Sequence, residues 1–294
     1  SQLLASISTT LKLLVMAGII ALGFIFYEPQ EVNLNLTASV GEFDNLGTAL
    51  LTALVGVLWS FGGWHHASYL AGETIDAKRT VPRAMVLGTI IVTTIYVLIN
   101  LAYMLLLPLD AIAQTQQIAG EALGSVFAFG GKLAAIAVAI SIFGTIGIYT
   151  MSAPRIYFAM AKDGIFFKQL SYIHPKYKTP VFAMLLQCVW AIVLLLFWGT
   201  FEELIEYVTF TDIIFMTLAG ISLFVFRRTR KEQERPYKVI GYPIIPLIFI
   251  TISAAFVLNT LLVETKQAVA GLILLGLGVP VYYLFKRYNG RGEE

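Results

Sequence analysis

Apolar residues along this chain fall in long runs separated by short polar stretches, without the strict alternation of a half-buried strand. Eight such runs are readable. They extend from about Leu3 to Phe26, Gly47 to Ala71, Pro82 to Leu107, Ala128 to Met160, Pro180 to Gly199, Leu204 to Phe226, Gly241 to Leu262 and Gln267 to Phe285. A helix needs about 20 mainly apolar residues to cross roughly 30 Å of hydrocarbon, so each run is a candidate span. Backbone facing lipid must satisfy its own hydrogen bonds, and barrel strands alternate over about ten residues. The pattern therefore predicts an all-α polytopic membrane protein. The first run does not read as a signal peptide, since it lacks a basic leading region and carries Lys12 within it.

Composition agrees with that reading. Of the 294 residues, 58% are hydrophobic and 13% charged, and the mean hydropathy is +0.79. A soluble domain carries about 25% charged residues. The net charge of +2 is too small for an electrostatic nucleic-acid footprint, so no nucleic-acid partner is expected. Cys188, the single cysteine, excludes a disulfide framework and a zinc cluster, and its apolar surroundings predict a packing role. No repeat with a period of 20 to 50 residues is visible, which excludes solenoids.

Charge placement predicts orientation. Apart from Lys12, Lys132 and Lys266, all of the 20 basic residues lie after the second, fourth and sixth runs or at the C-terminus. The other connections are acidic: Glu28, Glu31, Glu42 and Asp44, then Asp110 and Glu121, then Glu202, Glu203 and Glu206. By the positive-inside rule both termini face the cytoplasm. On the outer side, Asn35-Leu36-Thr37 is a short glycosylation pattern of low specificity, and Asp110 to Gly120 reads as one short amphipathic helix. Arg227 to Lys238 reads as a solvated cytoplasmic loop.

Several residues do not belong in a lipid-facing helix. The second run contains Ser60-Phe61-Gly62-Gly63-Trp64-His65-His66. Paired glycines at this depth suit either a helix break, where transporters place substrate, or close approach of a neighbouring helix. A break would offer carbonyls to an ammonium group at the end of the first half-helix and a positive dipole at the start of the second. His65 and His66 point in different directions, so a shared metal is not expected. Lys12 in the first span costs about 2.5 to 3.5 kcal/mol at the bilayer centre. It is a candidate proton carrier or fixed cation, or it snorkels to the inner interface. Asp212 is the carboxylate well inside the sixth span, either a pocket or proton site or a residue solvated through a vestibule. Ser141 and Thr145 are four residues apart and share one helix face.

These residues carry a family resemblance. Phe61-Gly62-Gly63-Trp64-His65-His66-Ala67-Ser68-Tyr69-Leu70-Ala71-Gly72-Glu73, followed by Lys78-Arg79-Thr80-Val81-Pro82-Arg83-Ala84, resembles the sixth-helix signature of the amino acid–polyamine–organocation (APC) superfamily. Within it the chain is most similar to the L-type and bacterial amino-acid permeases. Lys12-Leu13-Leu14, Arg155-Ile156-Tyr157-Phe158-Ala159-Met160-Ala161-Lys162-Asp163-Gly164, Arg235-Pro236-Tyr237-Lys238 and Gly241-Tyr242-Pro243 fit in order. The resemblance implies the LeuT-like fold of twelve helices, with these runs as helices five to twelve. Residues 1–226 would then be the remainder of the inverted-repeat core, and residues 227–294 the peripheral helices eleven and twelve. It implies that the first four helices lie outside this chain, which fits Ser1 in place of a start methionine, and that they are needed for transport.

Residue by residue, the resemblance implies that Ser60, Phe61 and Gly62 offer carbonyls to the substrate ammonium, beside Gly63. Trp59 would stand at the aromatic gate position, and His65 at a polar pocket position. Ser141 and Thr145 would face the pocket, which Asp212 would border, and Lys12 would take the place of sodium in sodium-coupled relatives. Ala77 and Phe167 replace prolines common in the family's loops. The implied function is secondary active transport of an amino acid by alternating access, sodium-independent, driven by protons or by exchange, in a plasma membrane of bacterial inner-membrane type. A non-transporting membrane scaffold or a decayed permease fragment is the alternative. A heavy-chain partner is left open, no cofactor is expected, and an embedded enzyme is the third and weakest reading, because no nucleophile-and-base set is present and His65, His66 and His174 do not fall at the i, i+4 spacing of a metal cluster.

Overall fold

The computed structural model describes residues 2–26, 46–198, 201–233, 235, 237–263 and 265–289. The acidic segment with Glu28, Glu31, Glu42, Asp44 and Asn35-Leu36-Thr37 lies outside the described residues, as do Pro236, Arg291 and the side chains of Glu202 and Glu203. Among the described residues the chain is all-helical. The helices are α1 (Gln2–Ile25), α2 (Leu46–Ser60), α3 (His66–Tyr69), α4 (Ala77–Leu106), α5 (Leu109–Gln114), α6 (Ile118–Val126), α7 (Gly130–Ser152), α8 (Pro154–Lys162), α9 (Val181–Trp198), α10 (Phe201–Thr229), α11 (Ile244–Val263) and α12 (Thr265–Asn289).

Among the described residues six stretches are long and apolar enough to cross a bilayer: Ser6–Ile25, Ala77–Leu106, Gly130–Lys162, Leu204–Thr229, Ile244–Val263 and Ala268–Arg287. Two of the eight expected spans are shorter apolar helices, Leu46–Ser60 and Val181–Leu196. The first is short because the chain breaks after Ser60. Large apolar side chains along these helices point outward, Leu196 and Leu262 being 80% and 82% exposed, as suits helices whose solvent is lipid.

The chain divides into two compact units, residues 1–38 with 83–152, and residues 39–82 with 153–294. In the first, Ile19, Ile99, Leu123 and Ala134 of α1, α4, α6 and α7 form the core. Small residues let these helices approach closely: a methyl added at Gly144 would stand 2.5 Å from the Ser8 Cβ, and one at Gly23 would stand 2.6 Å from the Ala102 Cβ. In the second, Ala161, Leu170 and Ala183 form a core beneath α8 and α9, and Gly220 of α10 lies against Ile250 of α11. Asn259 Nδ2 of α11 donates to Thr52 Oγ1 of α2 at 3.3 Å, tying the broken helix to α11.

Three local expectations are corrected. Asp110 to Gly120 is not one helix: α5 stops at Gln114 and α6 starts at Ile118, because Thr115 adopts an extended backbone. Its hydroxyl accepts the Gln117 N–H at 3.0 Å and reaches Glu121 Oε1 at 2.5 Å, which fixes the corner. Arg227 to Thr229 are the last residues of α10 rather than loop, and the Arg227 guanidinium lies 3.6 Å over the Tyr242 ring instead of in solvent. Cys188 is exposed on α9 rather than packed in the bundle. Of the two residues replacing loop prolines, Ala77 opens α4 and Phe167 packs edge-on against Phe285 of α12 at 4.8 Å.

Candidate functional site

The second apolar run breaks where its glycines stand. The Phe61 N–H still donates to the Val57 carbonyl at 3.0 Å, but the Gly62 N–H turns to Trp59 at 2.9 Å, a tighter three-residue step that ends the helical ladder. A side chain at Gly62 would press on that Trp59 carbonyl at 2.9 Å, and Gly63 has φ of 92°, a conformation L residues rarely adopt. Both glycines are thus demanded by the turn itself, not by an approaching helix. The chain re-enters helix only for His66–Tyr69, followed by a single 3-10 turn at Ala71–Glu73. The expected dipole at the start of the second half-helix is therefore corrected: four residues align too few peptide units to create one.

The turn carries an aromatic cluster. The His65 ring lies 4.8 Å from His66, 5.5 Å from Tyr69 and 5.9 Å from Trp64, centroid to centroid. Tyr69 also lies 4.9 Å from His66, a neighbour the sequence reading omitted although the three-residue spacing signals it. His65 Nε2 faces Asp212 Oδ1 of α10 at 4.0 Å, an ion pair when the imidazole is protonated. The other ring nitrogen, Nδ1, is buried without a hydrogen-bond partner. Asp212 keeps 39% of its side chain exposed, so this carboxylate is accessible while partly compensated. Thr209, one turn before it, has a buried hydroxyl without a partner, and sequence reasoning passed over it. Trp59 is exposed, and the Ser60 hydroxyl donates back to the Gly56 carbonyl at 2.7 Å.

The remaining site residues lie in the first unit. Lys12 Nζ of α1 donates to Thr145 Oγ1 of α7 at 2.9 Å, and that hydroxyl donates to the Ser141 carbonyl at 3.0 Å. The close approach of Ser8 to Gly144, one turn from Lys12 and next to Thr145, brings the ammonium within reach. The structure thus joins Lys12 with Thr145 and Ser141, and His65 with Asp212. Each set lies within one unit.

At the end of the broken run, Arg155 of α8 clasps Glu73 through two parallel bonds, Nε to Oε1 at 2.6 Å and Nη2 to Oε2 at 2.9 Å. The bonds from Arg155 hold the Glu73 carboxyl below its ordinary value, against the opposing effect of burial.

Apolar spanning helices, one of them broken at paired glycines, with ionisable side chains inside the spans, are the make-up of a membrane permease. The chain belongs to the amino acid permease family, whose profile matches residues 1–280. It is 32% identical over 287 residues to the serine/threonine exchanger SteT of Bacillus subtilis (strain 168), covering 96% of this chain and 64% of that protein. It is 29% identical to the b(0,+)-type amino acid transporter 1 of Mus musculus, covering 97% and 58%. To the large neutral amino acids transporter small subunit 2 of Homo sapiens it is 30% identical, covering 95% and 52%. These relatives are transporters and not enzymes. The chain spans between half and two thirds of their length.

Proposed function

We propose that this chain serves secondary amino-acid transport by alternating access, independent of sodium and driven by exchange or by a proton gradient. The break at Gly62–Gly63 carries the reading, because broken helices at membrane depth are where transporters place substrate against freed backbone. In this reading Ser60, Phe61 and Gly62 of the second unit present carbonyls to the substrate ammonium and Trp59 gates it; Ser141 and Thr145 serve transport within the first unit, beside Lys12. His65 and Asp212 meet the substrate's side chain, and Asp212 selects a cationic group or holds a proton. Lys12, hydrogen-bonded to Thr145, supplies a fixed cation where sodium-coupled relatives hold sodium.

The distribution of Lys and Arg supports both described ends facing the cytoplasm, in a plasma membrane of bacterial inner-membrane type. Residues 1–226 serve the transport core and residues 227–294 are peripheral. One relative is named an exchanger, which favours exchange, and another a small subunit, which makes a second subunit a matter for native-complex mass measurement.

The test is counterflow in liposomes containing the permease as natively encoded, preloaded with unlabelled amino acid. Labelled serine, leucine or arginine should accumulate in choline medium as in sodium. Uptake without internal amino acid that follows an imposed pH gradient, and loses that response in Asp212→Asn, would assign proton coupling over exchange. A strict sodium requirement would overturn the role given to Lys12, and absence of any amino-acid flux would overturn the transport reading.

A further inference from the structure

The last turn of α10 and the segment after it carry Arg227, Arg228, Arg230, Lys231, Arg235 and Lys238. None of these cations stands in the ion pairs His65–Asp212 and Arg155–Glu73. So many like charges close together raise the local potential and attract an anion.

Arg227 is held in place. Its guanidinium stacks 3.6 Å over the Tyr242 ring, and its Nε is buried without a hydrogen-bond partner. The stack depends on a turn at Gly241, whose φ is 67° and where a Cβ would run into the Ile245 side chain. Arg235 Nη2 donates to the Arg230 carbonyl at 2.8 Å, which satisfies an end of α10 and folds the basic segment back onto the helix. Beside the cations, Phe226, Ile240 and Ile244 are 52%, 74% and 66% exposed. Helix dipole and positive-inside bias account for cations at a helix C-terminus, but not for a stacked guanidinium rimmed by exposed apolar residues. Charge beside apolar surface at the end of a spanning helix is the chemistry of an anionic lipid, whose headgroup meets the cations and whose chains meet the apolar rim.

We propose that this end of α10 is a seat for an anionic phospholipid headgroup, with Arg227 as its fixed anchor. The inference rests on the membrane reading and on this end facing the cytoplasmic leaflet, not on transport. An acidic protein surface would need the charge but not the apolar rim.

The test reconstitutes the permease as natively encoded in nanodiscs of phosphatidylcholine alone or with 30% phosphatidylglycerol, a composition of about one anionic lipid in three. Lipid retained through a detergent wash is then counted by native mass spectrometry. Wild type should retain phosphatidylglycerol over phosphatidylcholine. The triple variant Arg227→Gln, Arg228→Gln, Arg230→Gln should lose that preference, by about fivefold for each cation removed. Tyr242→Leu, which keeps every charge but removes the stack, should weaken retention, while Tyr242→Phe should not. Equal retention of both lipids by wild type, or undiminished retention by the triple variant, overturns the proposal. So does inorganic phosphate stabilising the protein as much as the lipid does, or an acidic peptide competing where the lipid does not bind. Counterflow on the same samples separates the two readings: lipid selectivity without flux would sink transport alone, and flux without selectivity would sink this seat alone.

Discussion

Lys12 shows how a single charge within an apolar helix is made tolerable. A lysine near the bilayer centre would cost about 2.5 to 3.5 kcal/mol if left to lipid, and the Thr145 hydroxyl at 2.9 Å gives its ammonium a protein partner. Asp212 is treated differently: it faces His65 at a longer 4.0 Å and stays part-exposed. A hydrogen bond to a charged group contributes about 1.5 to 3 kcal/mol. On the proposed transport reading, Lys12→Met, one heavy atom shorter and uncharged, should therefore slow counterflow by about tenfold or more, with Thr145→Val slowing it less. Initial rates of counterflow measure both. A Lys12→Met protein exchanging at the native rate would leave the lysine a structural role only.

At the scale of elements, the break and the close helix contacts rest on glycine for different reasons. Gly144 is needed because Ser8 of α1 occupies the space a side chain would take. Gly63 is needed because its backbone is left-handed, whatever the space around it. Gly63→Ala should then cost about 1 to 2 kcal/mol of stability from strain alone, whereas an alanine at Gly56, where nothing stands within 4 Å, should be neutral or slightly stabilising. Thermal unfolding in detergent compares the two directly. Equal midpoints would mean that the turn after Ser60 relaxes without effort, and that the break is not built into the sequence.

For the whole molecule, the Arg155–Glu73 clasp is a place where pH reaches the fold at an exposed site. Glu73 has its carboxyl lowered by the bonds from Arg155, so its stabilisation is fully present above the ordinary carboxylate value and is lost as pH falls through it toward the lowered folded value. With Glu73 64% exposed, the pair is screened and worth at most about 1 kcal/mol. The native protein should therefore unfold at a higher temperature than Arg155→Gln at pH 7, with the gap closing below about pH 4.5. A gap that stays constant down to pH 3 would assign the difference to packing of the arginine stem instead.

The sequence alone determined the solvent of this protein and its helical class, and it offered a break at the glycine pair as one of two readings, between which the turn after Ser60 decided. Those follow from one-dimensional quantities: the length of apolar runs, the scarcity of charge, and a glycine pair that helix formation disfavours. It also marked Lys12, His65 and Asp212 as residues needing partners, because a charge or imidazole in an apolar run is costly wherever the chain goes. What it could not determine was which partner each would meet. Lys12 and Thr145 lie 133 positions apart, and Arg155 and Glu73 lie 82 apart, so those bonds exist only after helix packing brings them together. The same holds for Arg227, whose solvated appearance in the sequence gave way to a ring delivered by a turn at Gly241. Tertiary structure decided these pairings because hydrogen bonds and cation–ring contacts act over a few ångströms, and separation along a chain does not measure that distance.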